Sequence, residues 1–185
     1  EGLLEDVKLA LRLEQGREPR LALGYDFRNG DVRFLKTLPP IKAGSGYATI
    51  EGQIYTMVLD AGHVTPPQGG QIDMAGSVFS VLDIQQKPAQ AEIRLNAKSS
   101  LTAALSLLDQ KPFNFLTKAG RPVTLGEGRA EVQALLRLPL VKKVEPKDVS
   151  YAITGTLFDV TSEVLVPGHR LAASRALSMA RLQAI

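Results

Sequence analysis

The segment AQAEIRLNA, residues 89–97, alternates small or apolar side chains with polar ones along its whole length. Ile93 and Leu95 fall on one side of this alternation, and Glu92 and Arg94 fall on the other. Successive side chains of a β-strand point to opposite faces of a sheet, so a period of two predicts a strand. The predicted strand has one apolar face and one polar face.

The same period of two recurs along most of the chain. It predicts further strands over residues 7–13, 21–27, 48–50, 55–59, 78–82, 129–138, 149–157 and 160–166. We therefore expect roughly nine to eleven strands and one short helix. Most gaps are too short for a parallel crossover, which favours antiparallel connections. The tail, residues 171–185, is predicted to be a strand within a longer protein and frayed or helical in an isolated segment.

The dipeptide Asn29-Gly30 directly follows the alternating residues that end at Arg28. It favours a type I′ hairpin, because both central residues of that turn require positive φ. Such a turn would set Phe27 opposite Val32 and Tyr25 opposite Phe34. The alternative is one long strand with a bulge at Gly30, which keeps most of these side chains on the same face.

A second hairpin is predicted at Gly52-Gln53. A turn there sets Ile50 opposite Tyr55, Ala48 opposite Met57, and Thr49 opposite Thr56 on the other face. We expect this hairpin to end near Asp60.

One segment follows helical spacing instead. Leu101, Ala104, Leu105 and Leu108 recur with the helical period after Ser99-Ser100, which is a suitable N-cap. The helix should stop by Asp109 to Gln110, because Lys111 precedes a proline. A helix of this length is not stable alone, so its leucine side is expected to cover apolar surface of the sheet.

Composition excludes several classes of protein. At 185 residues, the chain is expected to be one domain or a slice of a longer repeating structure. With 44% hydrophobic and 22% charged residues it is not a disordered chain. It has no Cys, which rules out disulfides, thiol catalysis and thiolate metal sites.

The net charge of +3 does not predict a nucleic-acid partner, since basic and acidic residues are interspersed. The densest basic segment, Lys142 to Lys147, contains Glu145 and is interpreted as a solvated loop. The chain begins at Glu1 and ends within a continuing pattern, so we expect it to be an internal segment of a longer protein.

No catalytic, cofactor or metal site is predicted. His63 follows Asp60, but no nucleophile stands nearby, and we interpret Asp60 to His63 as a turn between strands. His169 is also expected in a turn, and metal-ligand spacing is missing. A hydrolase that uses two carboxylates remains an alternative. The acids in question are expected at strand ends or on polar faces: Asp26, Asp60, Asp73, Asp83, Asp109 and Asp159.

The remaining signal is a shared apolar face on many strands, with little helix to cover it. Such a face can close on itself as a sandwich or barrel, or stay open as a trough that binds an apolar ligand. On residue patterns alone the closed form is favoured, because monomers rarely expose large apolar patches.

A series of short motifs, spread over nearly the whole chain, occurs in a fixed order: Tyr25-Asp26-Phe27-Arg28, Val32-Arg33-Phe34-Leu35, Leu38-Pro39-Pro40-Ile41, Gly46 to Gly52, Tyr55 to Gly62, Gly70 to Gly76, Val81-Leu82-Asp83-Ile84, Ala91 to Leu95, Leu101 to Pro112, Gly126-Glu127-Gly128-Arg129-Ala130, Leu138-Pro139-Leu140 and Tyr151 to Val160. This order resembles the AsmA-like superfamily, specifically its large YhdP-type members. The motifs are structural ones, and none is a catalytic signature.

The resemblance implies a repeating β-groove protein, anchored by an N-terminal helix in the inner membrane of a Gram-negative cell and extending through the periplasm. Such proteins are implicated in carrying phospholipid acyl chains along a hydrophobic trough towards the outer membrane. The implied partners are phospholipid acyl chains and adjacent repeats of the parent chain, with no nucleic acid and no cofactor. Membrane contact would be made only by parts outside this segment.

One departure concerns the depth of the trough. Alanine is frequent on the expected inner face, at Ala89, Ala91, Ala97, Ala130 and Ala134, which predicts a shallower trough. The short helix is expected to fill part of that space.

We therefore predict a mainly β fold: an antiparallel, strongly twisted and curved sheet that forms an open groove or half-barrel, with one short helix packed on its apolar side. Residues 1–185 would be a single β-groove segment, with a next repeat beginning near residue 149. The side chains expected to face lipid or the core are Tyr25, Phe27, Val32, Phe34, Ile50, Met57, Leu59, Ile93, Leu95, Val132, Leu136 and Ile153.

Overall fold

The structure, a computed structural model, describes residues 2–16, 20–33, 38–111, 113–164 and 171–178. These residues form a mainly β fold with ten strands in one sheet. The strands are β1 (Leu3–Arg12), β2 (Arg20–Val32), β3 (Ile41–Glu51), β4 (Ile54–Val64), β5 (Ile72–Asp73), β6 (Ser77–Val81), β7 (Gln90–Ser100), β8 (Glu127–Pro139), β9 (Ser150–Ser162) and β10 (Leu171–Ser178). Two short helices, α1 (Leu101–Leu108) and α2 (Phe115–Lys118), lie between β7 and β8.

Neighbouring strands are antiparallel and follow one another almost in chain order, β1-β2-β3-β4-β5-β7-β8-β9-β10, with β6 also between β4 and β7. The short strands β5 and β6 therefore share one position, and the sheet is nine strands wide. Among the described residues, β1 and β10 have a partner on one side only, so the sheet is not a closed barrel. The predicted fold class is confirmed.

Bulges bend the sheet near one end. Four residues other than glycine have positive φ inside strands, and each lies at an interruption of the strand register: Asp6, Asn29, Ala43 and Asp159. A bulge bends its strand and increases the local twist. The sheet therefore curves at the end where β3 begins, β4 and β7 end and β8 begins, which we call the helix end because α1 lies there. The opposite end is the far end.

The hairpin predicted at Gly52-Gln53 is confirmed. Ile50 pairs with Tyr55, Ala48 with Met57, and Thr49 with Thr56. Gly52 has a φ of +62°, which suits the first central position of a two-residue turn. The strand β4 does not end near Asp60, however, and continues to Val64.

The hairpin predicted at Asn29-Gly30 is wrong, and the alternative of one long strand is correct. Strand β2 runs through this dipeptide, and the register with β3 shifts between Phe27 and Gly30. The positive φ of Asn29 serves a bulge, and Tyr25 pairs with Ala48 of β3. Phe34, the predicted partner of Tyr25, lies outside the described residues.

Three further predictions need correction. The segment from Asp60 to His63 belongs to β4 and is not a turn between strands. The two strands predicted at 149–157 and 160–166 are one strand, β9, with a bulge at Asp159. Residues 171–178 form a strand and not a helix, because β9 supplies a partner. Residues 165–166 of the predicted strand and residues 179–185 of the predicted tail lie outside the described residues. His169 lies outside the described residues.

Helix α1 has the predicted bounds. Ser100 is its N-cap, since the Ser100 hydroxyl accepts a hydrogen bond from the Ala103 backbone N–H at 3.1 Å. Asp109 is the C-cap. A second helix, α2, follows and was not predicted; Asp109 accepts hydrogen bonds from the backbone and the hydroxyl of Thr117, each 2.7 Å long.

The buried side of α1 differs from the predicted leucine stripe. Leu101, Ala103 and Ser106 are the buried residues, whereas Leu108 is 39% exposed. Ser106 is buried because its hydroxyl accepts a hydrogen bond from the backbone of Gln68, in the loop between β4 and β5. The helix thus lies against both the sheet and this loop. The prediction considered only packing against the sheet, so it did not identify Ser106 as buried.

The core lies at the helix end. Its buried members come from β3, β4, the β5 region and α1: Ile41, Leu59, Val64, Ile72, Met74 and Ala103. Phe27, Leu95, Ala97 and Leu107 pack against this cluster. Helix α1 therefore covers the apolar side of the sheet at one end only.

Candidate functional site

One face of the sheet is apolar across seven strands. Aligned residues of neighbouring strands share a face, so the strand register defines rows of side chains across the sheet. One row consists of Tyr25, Ala48, Met57, Phe79, Ile93, Leu136 and Tyr151. The next row towards the far end consists of Leu9, Leu23, Ile50, Tyr55, Val81, Ala91 and Leu138. We call this side of the sheet the apolar face.

The opposite side carries charged and hydroxyl side chains together with some apolar ones, such as Val58, Val78 and Leu135, and we call it the polar face. A row there, one residue away from the Tyr25 row, consists of Lys8, Gly24, Thr49, Thr56, Ser80, Glu92, Arg137 and Ser150. Glu92 accepts hydrogen bonds from Arg94 at 3.0 Å and from Arg137 at 2.9 Å. The contact with Arg137, followed by that with Arg94, lowers the pKa of Glu92. The Glu92 carboxylate is therefore ionised at neutral pH.

The structure brings the described members of the predicted row together on the apolar face. Tyr25, Met57, Ile93 and Leu136 stand in a single row, and Ile50 belongs to the adjacent one. The others stand nearer the helix end: Phe27, Val32, Leu59, Leu95, Val132 and Ile153. The predicted row omitted Phe79, which lies between Met57 and Ile93. Its signal is weak because it occurs in the five-residue strand β6.

A narrow apolar cleft opens on this face near the bulges. Phe27, Met57, Leu59, Ile93 and Leu95 are among its lining residues. Its cavity volume is about 40 Å³, against the about 10–15 Å³ that one water requires. The lining is almost wholly apolar, and apolar cavities stay dry. The helix end of the face is thus largely filled by its own side chains.

The edge of the face at β1 is uncovered, whereas Val81 and Ala91 in the same far-end row are buried. Leu9 is 68% exposed and Leu11 is 59% exposed, although both project from the apolar face of β1. Leu4, Leu13 and Leu21 are exposed as well. Clusters of exposed large apolar side chains mark surfaces that contact other apolar molecules. The strands β1 and β2 therefore carry an open continuation of the apolar face.

The only paired hydroxyls found on the described part of the apolar face are those of Tyr25 and Tyr55. Their oxygens are 3.1 Å apart, and both side chains are half-buried. Tyr25 belongs to β2 and Tyr55 to β4, so the pair spans β3. Sequence patterns do not reveal this contact, because the two strands are not neighbours.

Several of the acidic side chains considered for catalysis are engaged in turns or in an ion pair: Asp73, Asp83, Asp109 and Asp159. Asp109 binds the start of α2, and its pKa is lowered by hydrogen bonds from the backbone and then from the hydroxyl of Thr117. Asp83 accepts hydrogen bonds from the Gln85 and Gln86 backbones, and Asp159 pairs with Arg129 at 2.9 Å. In the described part of the chain, no group of three or more acids or histidines is placed to hold a metal ion.

Within the described ranges, no helix combines the length and the apolar character needed to cross a bilayer. Comparisons of the chain with protein-family models, with curated proteins and with solved structures found no match.

Proposed function

We propose that this chain is a non-catalytic segment of a periplasmic AsmA-like protein, and that its apolar face holds phospholipid acyl chains on their way between the inner and outer membranes. The observation that carries the proposal is the continuity of the apolar face. Aligned apolar side chains run from the exposed leucines of β1 across to β8 and β9 without a charged residue in either row.

The chemistry of such a face suits an acyl chain. Methylene groups offer no hydrogen bonds, and each one removed from water contributes about 0.8 kcal/mol. Leucine, isoleucine and methionine side chains give many similar contacts in series. An acyl chain can therefore shift along the face without losing one dominant interaction. The hydrated polar face, with the Glu92 ion pairs, would keep the other side of the sheet in water.

The two outer strands support a place within a longer assembly. Among the described residues, β1 and β10 each leave one edge without a strand partner. Unpaired edges readily accept a further strand. We propose adjacent repeats of the parent chain as the partners of these edges. The alternative from the sequence is a closed β structural or protein-interaction domain without lipid cargo. The sheet is not a closed barrel, so this alternative remains only as an open module, which the filled helix end favours.

Lipid extraction separates these two functions. The chain would be produced in the periplasm of a Gram-negative host and purified gently, and the extracted lipid would be identified by mass spectrometry. We expect phospholipid in amounts comparable with the protein. A spacer module would yield none.

A matched pair of double variants locates the bound lipid. Leu9→Gln with Leu11→Gln changes the apolar face of β1, and Lys8→Gln with Arg12→Gln changes its polar face. Because Leu9 and Leu11 are exposed, their replacement should alter the ligand surface with little effect on folding. We expect the leucine variant to retain less lipid than the wild type and the basic variant to retain as much. Equal losses from both would count against the proposal.

A further inference from the structure

A hydrogen-bonded pair of phenols stands within an otherwise apolar part of the sheet. The Tyr25 and Tyr55 hydroxyls meet at 3.1 Å above β3, between the two strands that carry them. Ala48, which is aligned with Tyr25, is fully buried. A small residue at this position leaves room for the two rings to approach each other. The pair is therefore held in place by the strand register.

The pair has an unused hydrogen-bond donor. Each phenol has one proton, and only one of the two protons is used in the bond between them. Whichever hydroxyl donates, the other keeps its own O–H. In the described part of the chain, neither hydroxyl makes a second hydrogen bond. A half-buried donor of this kind is available to an acceptor that reaches the face.

The surroundings favour an uncharged acceptor. The residues aligned with Tyr25 and Tyr55 in the two rows bear no charge. The bulge of β1 opposite Tyr25 adds only an acidic residue, Asp6, so nothing there would neutralise a phosphate. Charged residues stand next in sequence to Leu9, Tyr25 and Ile50 of these rows, but they belong to the polar face: Lys8, Asp26 and Glu51. Burial, together with the hydrogen bond to Tyr25, raises the pKa of Tyr55. Tyr55 therefore resists ionisation, and the pair offers a donor without charge.

We propose that the Tyr25–Tyr55 pair binds the carbonyl oxygen of a carboxylic ester, the group that joins the acyl chains of a glycerolipid to its glycerol. The inference rests on the proposed function, and it adds where the polar end of the acyl chain lies. The ester is the first acceptor after the methylene chain. With the ester bound at the tyrosines, the acyl chain of the lipid lies along the apolar face, and the charged headgroup stays outside the two uncharged rows.

The test compares two lipids that differ only at this group. The chain is incubated with vesicles containing equal amounts of diester phosphatidylglycerol and its diether analogue, which has the same chains and headgroup but no ester carbonyl. The protein is recovered, and both bound lipids are quantified by mass spectrometry. One hydrogen bond predicts a preference for the diester of about 2- to 10-fold. The Tyr25→Phe/Tyr55→Phe double variant should show no preference.

The single variants and a distant control sharpen the test. Tyr25→Phe and Tyr55→Phe alone each leave one hydroxyl with its proton, so each should keep a preference. Tyr47→Phe removes a phenol from the polar face and should behave as the wild type. Bound lipid with equal diester and diether would overturn this inference and leave the proposed function standing. A preference that survives in the double variant would overturn it too, and no bound lipid would overturn both.

A second measurement does not depend on the folding of the variants. With diester labelled with carbon-13 at the carbonyl, the infrared band of the ester bound to wild-type protein should lie at lower wavenumber than that of the same lipid in an apolar solvent, where the carbonyl has no hydrogen bond. A band at the position of an ester without a hydrogen bond would contradict the inference.

Discussion

At the scale of single residues, the polar face is joined by ionic contacts between strands. The Glu92 carboxylate binds Arg94 on its own strand and Arg137 on β8, and its side chain is only 11% exposed. Both arginines are largely exposed, so each contact alone is worth little. Two guanidinium groups on one shielded carboxylate nevertheless give a measurable contribution.

Glu92→Gln should reduce stability at neutral pH by about 1 kcal/mol. Because the folded-state pKa of Glu92 is lowered, its contribution is present in full above the ordinary glutamate pKa of about 4.3 and is lost as pH falls through the lower folded value. Urea unfolding at pH 7 and pH 3 should therefore show a difference between wild type and variant at pH 7 that shrinks at pH 3. The control is Glu131→Gln, which replaces a carboxylate on the polar face of β8, the face that also carries Arg137. An equal difference at both pH values would show that the charge is not responsible.

At the scale of elements, local signals predicted what local interactions determine. The Gly52 turn and the bounds of α1 follow from neighbours in sequence, and both are correct. Asn29-Gly30 failed because positive φ serves a bulge as well as a turn, and only the pairing of β2 with β3 decides between them. The buried side of α1 depends on a loop 38 residues away in sequence, through the contact of Gln68 with Ser106.

The contact between that loop and α1 gives a prediction. Gly69 has a φ of +90°, and a Cβ there would overlap the backbone of Ala103. Gly70 has a φ of +87°, but a Cβ there would meet nothing within 4 Å. Both alanine variants bear the cost of positive φ, which is of order 1 kcal/mol. Gly69→Ala should lose at least a further 1 kcal/mol because α1 must move. Thermal unfolding of the two variants measures the difference, and equal losses would show that the loop does not pack on the helix.

At the scale of the whole molecule, the apolar face has two parts with different roles. The helix end is a packed core beneath α1, and the edge at β1 exposes leucines of β1 and β2. Alternation in the sequence predicted that these side chains share a face, since the period of two fixes which side of a strand each occupies. It did not predict which part is covered, nor that Tyr25 meets Tyr55, because both depend on how the whole sheet bends.

Replacing a leucine by alanine should therefore reduce stability by different amounts in the packed core and on the exposed strand β1. Leu59→Ala removes a buried side chain of the core and should cost about 2–5 kcal/mol. Leu9→Ala changes a residue that is 68% exposed and should change stability by no more than about 0.5 kcal/mol. Urea unfolding of both variants provides the comparison. A large loss of stability from Leu9→Ala would mean that the leucines of β1 are packed in solution and not open to a ligand.

The central claim, that acyl chains lie on the apolar face, is tested most directly by photo-crosslinking with lipid. A photoreactive amino acid would be placed singly at Leu9 and Ile50 on the apolar face, and at their neighbours Lys8 and Thr49 on the polar face. After irradiation in cells, we predict phospholipid adducts from the apolar set, strongest at the exposed Leu9 position, and none from the polar set. Adducts from both faces alike, or from neither, would contradict the account.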